Sequence, residues 1–185
     1  MSFYFFKEGI KNISEVGAIF ISSKFLLKKM LKPIDFSGKK VIVEFGAGSG
    51  NMTRMLLDKM DDDSILYSFE INPVFISKLE KIDDPRLILI NDSVEQVSNY
   101  VKMQEADCVI SGLPLANFSK ESKKIILKEV GKILKPGQLF VQFQYSLTDK
   151  KLLEQFFKTI GLQFTLINIP PAFVYFCRDH FYSVD

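Results

Sequence analysis

The chain has no tryptophan, one histidine and two cysteines among its 185 residues. Zinc and iron centres are built from several His and Cys side chains at set spacings, so this scarcity argues against a metal site. Cys108 and Cys177 sit in apolar runs, where buried free thiols of a reducing compartment are expected rather than a disulfide or metal pair. His180 lies near the end of the chain, away from every motif, so no histidine is at hand to accept a proton. No apolar run reaches the roughly 20 residues of a membrane span. No signal-peptide pattern with a cleavage site is present, nor any internal repeat or low-complexity linker. The net charge is only +2, which lacks the overall basic signature of a nucleic-acid binder.

What is present is a folded composition, 47% hydrophobic and 25% charged, long enough for one domain with a sizeable core. Its charge is unevenly spread. Residues 1–40 hold eight lysines against Glu8, Glu15 and Asp35, a surplus of five, so the remainder carries three net negative charges. The division expected is a basic segment of N-terminal helices over 1–36 and one folded unit over 37–185. Phe3, Phe6, Ile10, Ile13 and Val16 recur at helical spacing, with Lys7, Lys11, Asn12 and Glu15 opposite. Such a helix either lids the domain or lies in a membrane interface, phenylalanines inward and lysines at anionic headgroups. A second helix is expected over Lys24–Leu31, capped by Ser22 or Ser23 and ended by Leu31-Lys32-Pro33. Residues 1–32 are therefore a candidate contact with an anionic membrane.

The pattern centres on Val41–Gly50, VIVEFGAGSG. A β-branched run leads into Glu44, then Gly46, Gly48 and Gly50 at alternate positions, then a helical pattern from Met52. That reads as a buried strand, a tight glycine turn and a helix start, with backbone N–H groups free for a polar ligand. The spacing is GxGxG, not the GxGxxG of dinucleotide folds. A second apolar run, Ile65–Phe69, ends in Glu70, placed to accept from both hydroxyls of a ribose. Beyond it strands and helices alternate. Strands are expected at Arg86–Ile90, Ala106–Ile110 and Gln138–Tyr145, the last after a turn at Lys135-Pro136-Gly137. Helices are expected after Asn72-Pro73, after Asn91-Asp92-Ser93, over Ser119–Leu134 and over Thr148–Ile160. Two strands, Leu162–Ile169 and Ala172–Cys177, close the chain with no helix between them. This is an α/β architecture: a doubly wound, mostly parallel seven-stranded sheet with a terminal antiparallel hairpin. Its ligand cleft lies outside the carboxyl ends of the strands, where the strand order switches.

These ordered motifs, from Val41 to about Tyr145, resemble class I S-adenosylmethionine-dependent methyltransferases. The resemblance implies S-adenosyl-L-methionine as cofactor and no metal. It places Glu44, Gly46, Ala47, Gly48 and Gly50 beneath the methionine part and Glu70 and Ile71 at the ribose. Asp92 would accept from the adenine amino group, with the Ser93 backbone on the ring. Read alone, Asp92 or Ser93 equally well caps the next helix.

A fourth motif, Ser111-Gly112-Leu113-Pro114-Leu115, follows the fourth strand. It looks like the Asn-Leu-Pro-Tyr motif of adenine-N6 methylases, with Gly112 in place of the Asn and Leu115 in place of the aromatic. A flipped base would lack both its hydrogen-bond partner and its stacking platform, which counts against a nucleic-acid substrate. With Val16-Gly17-Ala18, Ser22-Ser23, VQFQYS and NIPPAFVYF, the motif is similar to the bacterial peripheral-membrane phospholipid N-methyltransferases. That resemblance implies a phospholipid acceptor such as phosphatidylethanolamine, and a cytoplasmic protein peripheral on the inner membrane face. Ser111, Leu113 and Pro114 would face the transferable methyl, Ser111 touching the cofactor as well. Tyr145 would orient the amine or phosphate, since a phenol with its ordinary pKa of about 10 makes a weak base. Tyr4, Phe118 and Tyr145 could offer faces to a methylated cation, and Lys24, Lys28 and Arg178 could meet a lipid phosphate. Two alternatives stay open. One is an rRNA adenine-N6 methyltransferase, whose dimethylase relatives are expected to carry a further helical domain beyond this fold. The other is a non-enzymatic cofactor- or membrane-binding module on the same fold.

Overall fold

The computed structural model describes residues 24–166 and 170–181. The helix expected over 3–16, Tyr4, and the Ser22-Ser23 cap lie outside the described residues. Helix α1, Lys24–Leu31, comes first. Strand β1, Val41–Phe45, runs into α2, Asn51–Leu57. β2, Ile65–Phe69, is followed by α3, Pro73–Leu79, capped by the Asn72 side chain and carrying Pro at its first position. β3, Leu87–Ile90, leads into a 3-10 turn, Val94–Asn99, capped by Ser93. β4, Ala106–Ser111, leads through a short 3-10 turn into α4, Lys120–Ile133, capped by Ser119. β5, Leu134–Gln144, α5, Lys150–Leu153, β6, Phe157–Thr165, and β7, Ala172–His180, complete the chain.

The seven strands form one sheet in the order β3-β2-β1-β4-β5-β7-β6. The first five are parallel, and β7 lies antiparallel between β5 and β6. Side chains alternate across the sheet, so each strand feeds two cores. Val43, Phe45, Val109 and Phe140 pack against Ile126, Val130 and Ile133 of α4 on one face. Ile42, Ile110 and Val141 pack against Leu26 and Met30 of α1 and Leu56 of α2 on the other. The order switches between β1 and β4, so a crevice opens at their carboxyl ends.

Four expectations are corrected. The turn at Lys135-Pro136-Gly137 is absorbed into β5 as a bulge: the register steps from Ala106↔Leu134 to Cys108↔Leu139, with Gly137 at φ 73°. The helix expected over Thr148–Ile160 is only Lys150–Leu153, and β6 begins at Phe157 rather than Leu162. Leu152, Leu153, Phe156 and Phe157 do have helical spacing. Tertiary packing overrides it: Phe157 stacks on Phe140 at 5.5 Å and meets His180 edge-to-face at 4.9 Å. β7 also runs three residues further than expected, to His180. On α1, Phe25 is exposed while Leu26 and Leu27 are buried.

The end of β7 docks on α4 through a single gap in its surface. His180 Nε2 lies 3.0 Å from the Leu127 carbonyl oxygen, and a Cβ on Gly131 would sit 2.2 Å from the His180 ring. Gly→Ala inside a helix ordinarily stabilises by roughly 0.5–1 kcal/mol. Here the sign reverses, because the ring is held between Phe156, Phe157 and Leu127. Gly131→Ala is expected to lower urea-unfolding stability by about 1–3 kcal/mol. His180→Ala placed on top of it should restore part of that loss, and strictly additive effects would refute the close contact.

Candidate active site

The chain leaves β1 over Gly46–Gly50 and enters α2. All three glycines hold positive φ, 75°, 54° and 81°, a region that costs other residues roughly 1–2 kcal/mol. Gly46 and Ala47 N–H both donate to the Phe69 carbonyl, at 2.9 and 3.1 Å, tying the loop to the end of β2. A Cβ on Gly48 would meet nothing within 4 Å, so the loop borders open space.

On the other side the loop meets the segment after β4. Gly112 N–H donates to the Phe45 carbonyl at 2.8 Å. A Cβ on Gly112 would lie 2.9 Å from the Gly46 carbonyl oxygen, and one on Gly46 would lie 2.7 Å from Leu113 Cδ2. Gly112 thus stands where an Asn could stand only if the glycine loop moved away. Leu115 is fully buried in the α4-side core and offers no platform to a base. Leu113 and Pro114 are half-buried at the rim. Ser111 is buried, its Oγ accepting from Leu113 N–H at 3.3 Å.

Glu44 is 1% exposed. Its Oε2 accepts from Thr53 Oγ1 at 2.8 Å and Ser68 Oγ at 2.7 Å, while Oε1 has no partner. Burial pushes its carboxyl up to about 7, against the pull of the Ser68 and Thr53 hydroxyls. Glu70 is held by three backbone N–H groups: Gly48 at 2.8 Å, Ile71 at 2.9 Å and Asn72 at 2.8 Å. Most of its acceptor capacity left over is on Oε2. Asp92 accepts from Ser93 N–H at 2.7 Å and from Tyr100 OH at 2.8 Å. The Ser93 hydroxyl caps the following turn, so Ser93 is the cap and Asp92 is free to face the rim.

Glu44, the glycine loop, Glu70 and the 111–114 segment therefore gather at the switch point. Asp92 stands two strands to one side, past β3. Tyr145 stands two strands to the other, just past β5, half-buried and edge-to-face on Phe143 at 5.5 Å. Arg178 does not join them. Its guanidinium donates to the Gly137 carbonyl at 2.8 Å, at the amino-terminal end of β5, the opposite edge of the sheet. Phe118 packs against the core.

Two positioning residues escaped the sequence reading. Gln142 is fully buried and its Nε2 donates to the Leu113 carbonyl at 2.8 Å, fixing the rim segment from β5. Its signal was the alternation Gln142, Gln144 within a strand that must be covered on both faces. Tyr100 holds Asp92 and packs edge-to-face on Phe69 at 5.7 Å, a pairing at a separation of eight that no helical period marks.

These groups fit S-adenosyl-L-methionine. A buried carboxylate oxygen lacking a partner suits the ammonium end of the methionine part. The positive-φ loop allows close approach, and the acids at the ends of β2 and β3 suit a ribose diol and an exocyclic amine. A family model described as a methyltransferase domain matches residues 42–137. The chain is 27% identical over 180 residues to the ornithine lipid N-methyltransferase of Singulisphaera acidiphila, covering 94% of this chain and 92% of that protein. It is also 27% identical over 145 residues to the ribosomal RNA small subunit methyltransferase A of Pelagibacter ubique, covering 78% of this chain and 54% of that one. Among solved structures, the Burkholderia thailandensis 1,6-didemethyltoxoflavin-N1-methyltransferase, with S-adenosylhomocysteine bound, superposes with a TM-score of 0.69 at 14% identity, over 94% of this chain and 85% of that one. With the matched domain spanning both the glycine loop and the rim segment after β4, the chain belongs to the methyltransferase domain family and is an S-adenosylmethionine-dependent methyltransferase.

Proposed function

We propose that the chain N-methylates the amino group of a lipid headgroup, such as phosphatidylethanolamine, at a bilayer surface. The observation that carries this reading is the Gly112–Gly46 contact. It leaves the position after β4 without a side chain to receive an adenine amine, and the burial of Leu115 leaves no ring to stack a base. The similarity to an ornithine lipid N-methyltransferase, over nearly the whole of both chains, supports the same class of acceptor. No helix among the described residues is long and apolar enough to cross a membrane, so the lipid would be met from the surface. The competing reading, an RNA adenine, draws its support from the ribosomal RNA methyltransferase relatives.

When bound, the cofactor would supply an electrophilic methyl carbon on a sulfonium, open to in-line displacement by the lone pair of the acceptor nitrogen. The chain's work is orientation and exclusion of water. Glu70 and Asp92 would hold the nucleoside, while the glycine loop and Glu44 would hold the methionine part. The main chain of 111–114, braced by Gln142, walls the path between methyl and amine. Tyr145 borders the path from β5 and would orient the amine, which enters in its neutral form after leaving its proton in bulk water.

Label from S-adenosyl-methyl-labelled cofactor is expected in phosphatidylethanolamine vesicles, absent with Glu70→Ala, and absent from structured RNA. Label in RNA alone would reverse the reading. Gly112→Ala should lower methyl transfer by about a hundred-fold through displacement of the glycine loop, with the far-ultraviolet spectrum unchanged. Equal activity would show that the loop yields freely. Glu44 makes stability depend on pH with a known sign. Its folded pKa lies above the usual 4.5, at about 7, so stability is fullest below about 4.5 and is lost as pH rises through about 7. In the absence of cofactor the loss should be on the order of 3 kcal/mol. Urea unfolding of Glu44→Gln, compared with the wild type, should lack that slope.

A further inference from the structure

The acceptor side of the crevice is framed by the 111–115 segment after β4 and by Tyr145 after β5. Each runs directly into a helix start, α4 after Ser119 and α5 after Asp149. Because β4 and β5 are parallel neighbours, both starts lie on the same rim. Between them opens a pocket of about 610 Å³ lined by Lys120, Lys123, Lys124, Thr148, Asp149 and Lys151, among others. Lys123 and Asp149 pair at 2.7 Å with their side chains 12% and 8% exposed, forming a neutral, fixed floor. Lys120, Lys124 and Lys151 stand exposed around it and enter no ion pair among the described residues. The pocket therefore carries three lysines outside any ion pair among the described residues, beside the positive end of a 14-residue helix whose first turn also holds Glu121.

The same rim is apolar beside the lysines. Leu147, in the β5–α5 connection, is 45% exposed, and Phe164 and Leu166 at the end of β6 are 46% and 72% exposed. The pairing Gln144↔Phe173 and Thr165↔Ala172 places the end of β6 at the carboxyl edge of β5. Lysines and exposed aliphatic and aromatic side chains on one rim match the polar and acyl layers of a bilayer surface. Neither Lys28 nor Arg178 lines this pocket.

We infer that the pocket between α4 and α5 is a phosphate subsite. It receives the phosphate of a lipid headgroup while Leu147, Phe164 and Leu166 enter the acyl boundary. It rests on the lipid reading above for the source of the phosphate. The test compares three forms of the 185-residue chain: wild type, Lys120→Gln/Lys124→Gln/Lys151→Gln, and Lys59→Gln/Lys81→Gln/Lys102→Gln as a charge-matched control at the opposite edge of the sheet. Retention is measured on phosphatidylcholine vesicles with and without phosphatidylglycerol, with inorganic phosphate as competitor at matched ionic strength and with structured RNA in a parallel arm. Cofactor affinity and thermal unfolding serve as integrity checks and should be unchanged in both variants.

At about five-fold per lysine, the rim variant should lose on the order of a hundred-fold in retention on phosphatidylglycerol vesicles, the control several-fold at most. Inorganic phosphate should displace neither. Equal losses in rim variant and control would overturn the subsite in favour of general attraction. So would a lysine-dependent response to inorganic phosphate without one to vesicles, or a rim loss confined to RNA. Retention is read without methyl transfer. A wild type that is held through these lysines yet methylates no lipid therefore defeats the catalytic proposal alone. One that methylates lipid without using them defeats the subsite alone.

Discussion

Two main chains touch where β1 and β4 end, and the rest of the site is built around that contact. The Gly112 N–H closes on the Phe45 carbonyl, and the Gly46 and Ala47 N–H groups close on the Phe69 carbonyl. Three adjacent parallel strands are thereby stitched together at their carboxyl ends, just where the doubly wound order reverses. The stitching works only because neither Gly46 nor Gly112 carries a Cβ. The result is a floor of main chain with almost no side-chain freedom. That is the property an in-line displacement asks of its surroundings: fixed distances and little room for water.

Charge is divided across this floor. On the β1–β3 side stand three carboxylates, each held differently: Glu44 by two hydroxyls inside the core, Glu70 by three backbone amides, Asp92 by an amide and a phenol. On the β5 side the rim is basic and apolar. The acidic half thus suits a cationic cofactor, and under the function proposed above the basic half suits a headgroup phosphate, so that only the reacting methyl and nitrogen would meet between them. Glu44 carries the largest electrostatic cost of the arrangement. A fully buried acid with one unpartnered oxygen keeps its proton to near neutrality when nothing positive lies beside it.

Much of this was legible in the residues. The alternating apolar runs and the glycine spacing specify the sheet and the loop. Three of the helix and turn starts were marked by Asn72, Ser93 and Ser119, which all cap as their types require. The bounds of β1 to β4 lay within one residue of the pattern, whereas β5 and β6 begin earlier and β7 ends later than it. The failures share a cause. Leu152, Leu153, Phe156 and Phe157 have a helical period, yet Phe157 is claimed by Phe140 and His180 from distant parts of the chain. Arg178 has a charge suited to a headgroup, but the antiparallel direction of β7 carries it to the wrong edge. The role of Gln142 depends on a carbonyl 29 residues away. Local pattern finds elements and acids at strand ends; it does not find partners chosen by packing. The reason for Gly112 belongs to the same class, since only the neighbouring loop reveals that no larger residue fits.

The parallel half and the antiparallel half of the sheet also change at different costs over evolutionary time. Substitutions where β1 and β4 end must preserve a backbone-to-backbone fit, and a side chain at Gly46 or Gly112 breaks it. The rim beside β5 carries the exposed Lys120, Lys124 and Lys151 with Leu147, Phe164, Leu166 and the half-buried Tyr145, none of them part of the stitched floor. A lineage can therefore exchange one acceptor for another by remodelling this rim while inheriting the cofactor half intact. A small fold of this kind can then have relatives whose names attach them to lipids and to ribosomal RNA alike.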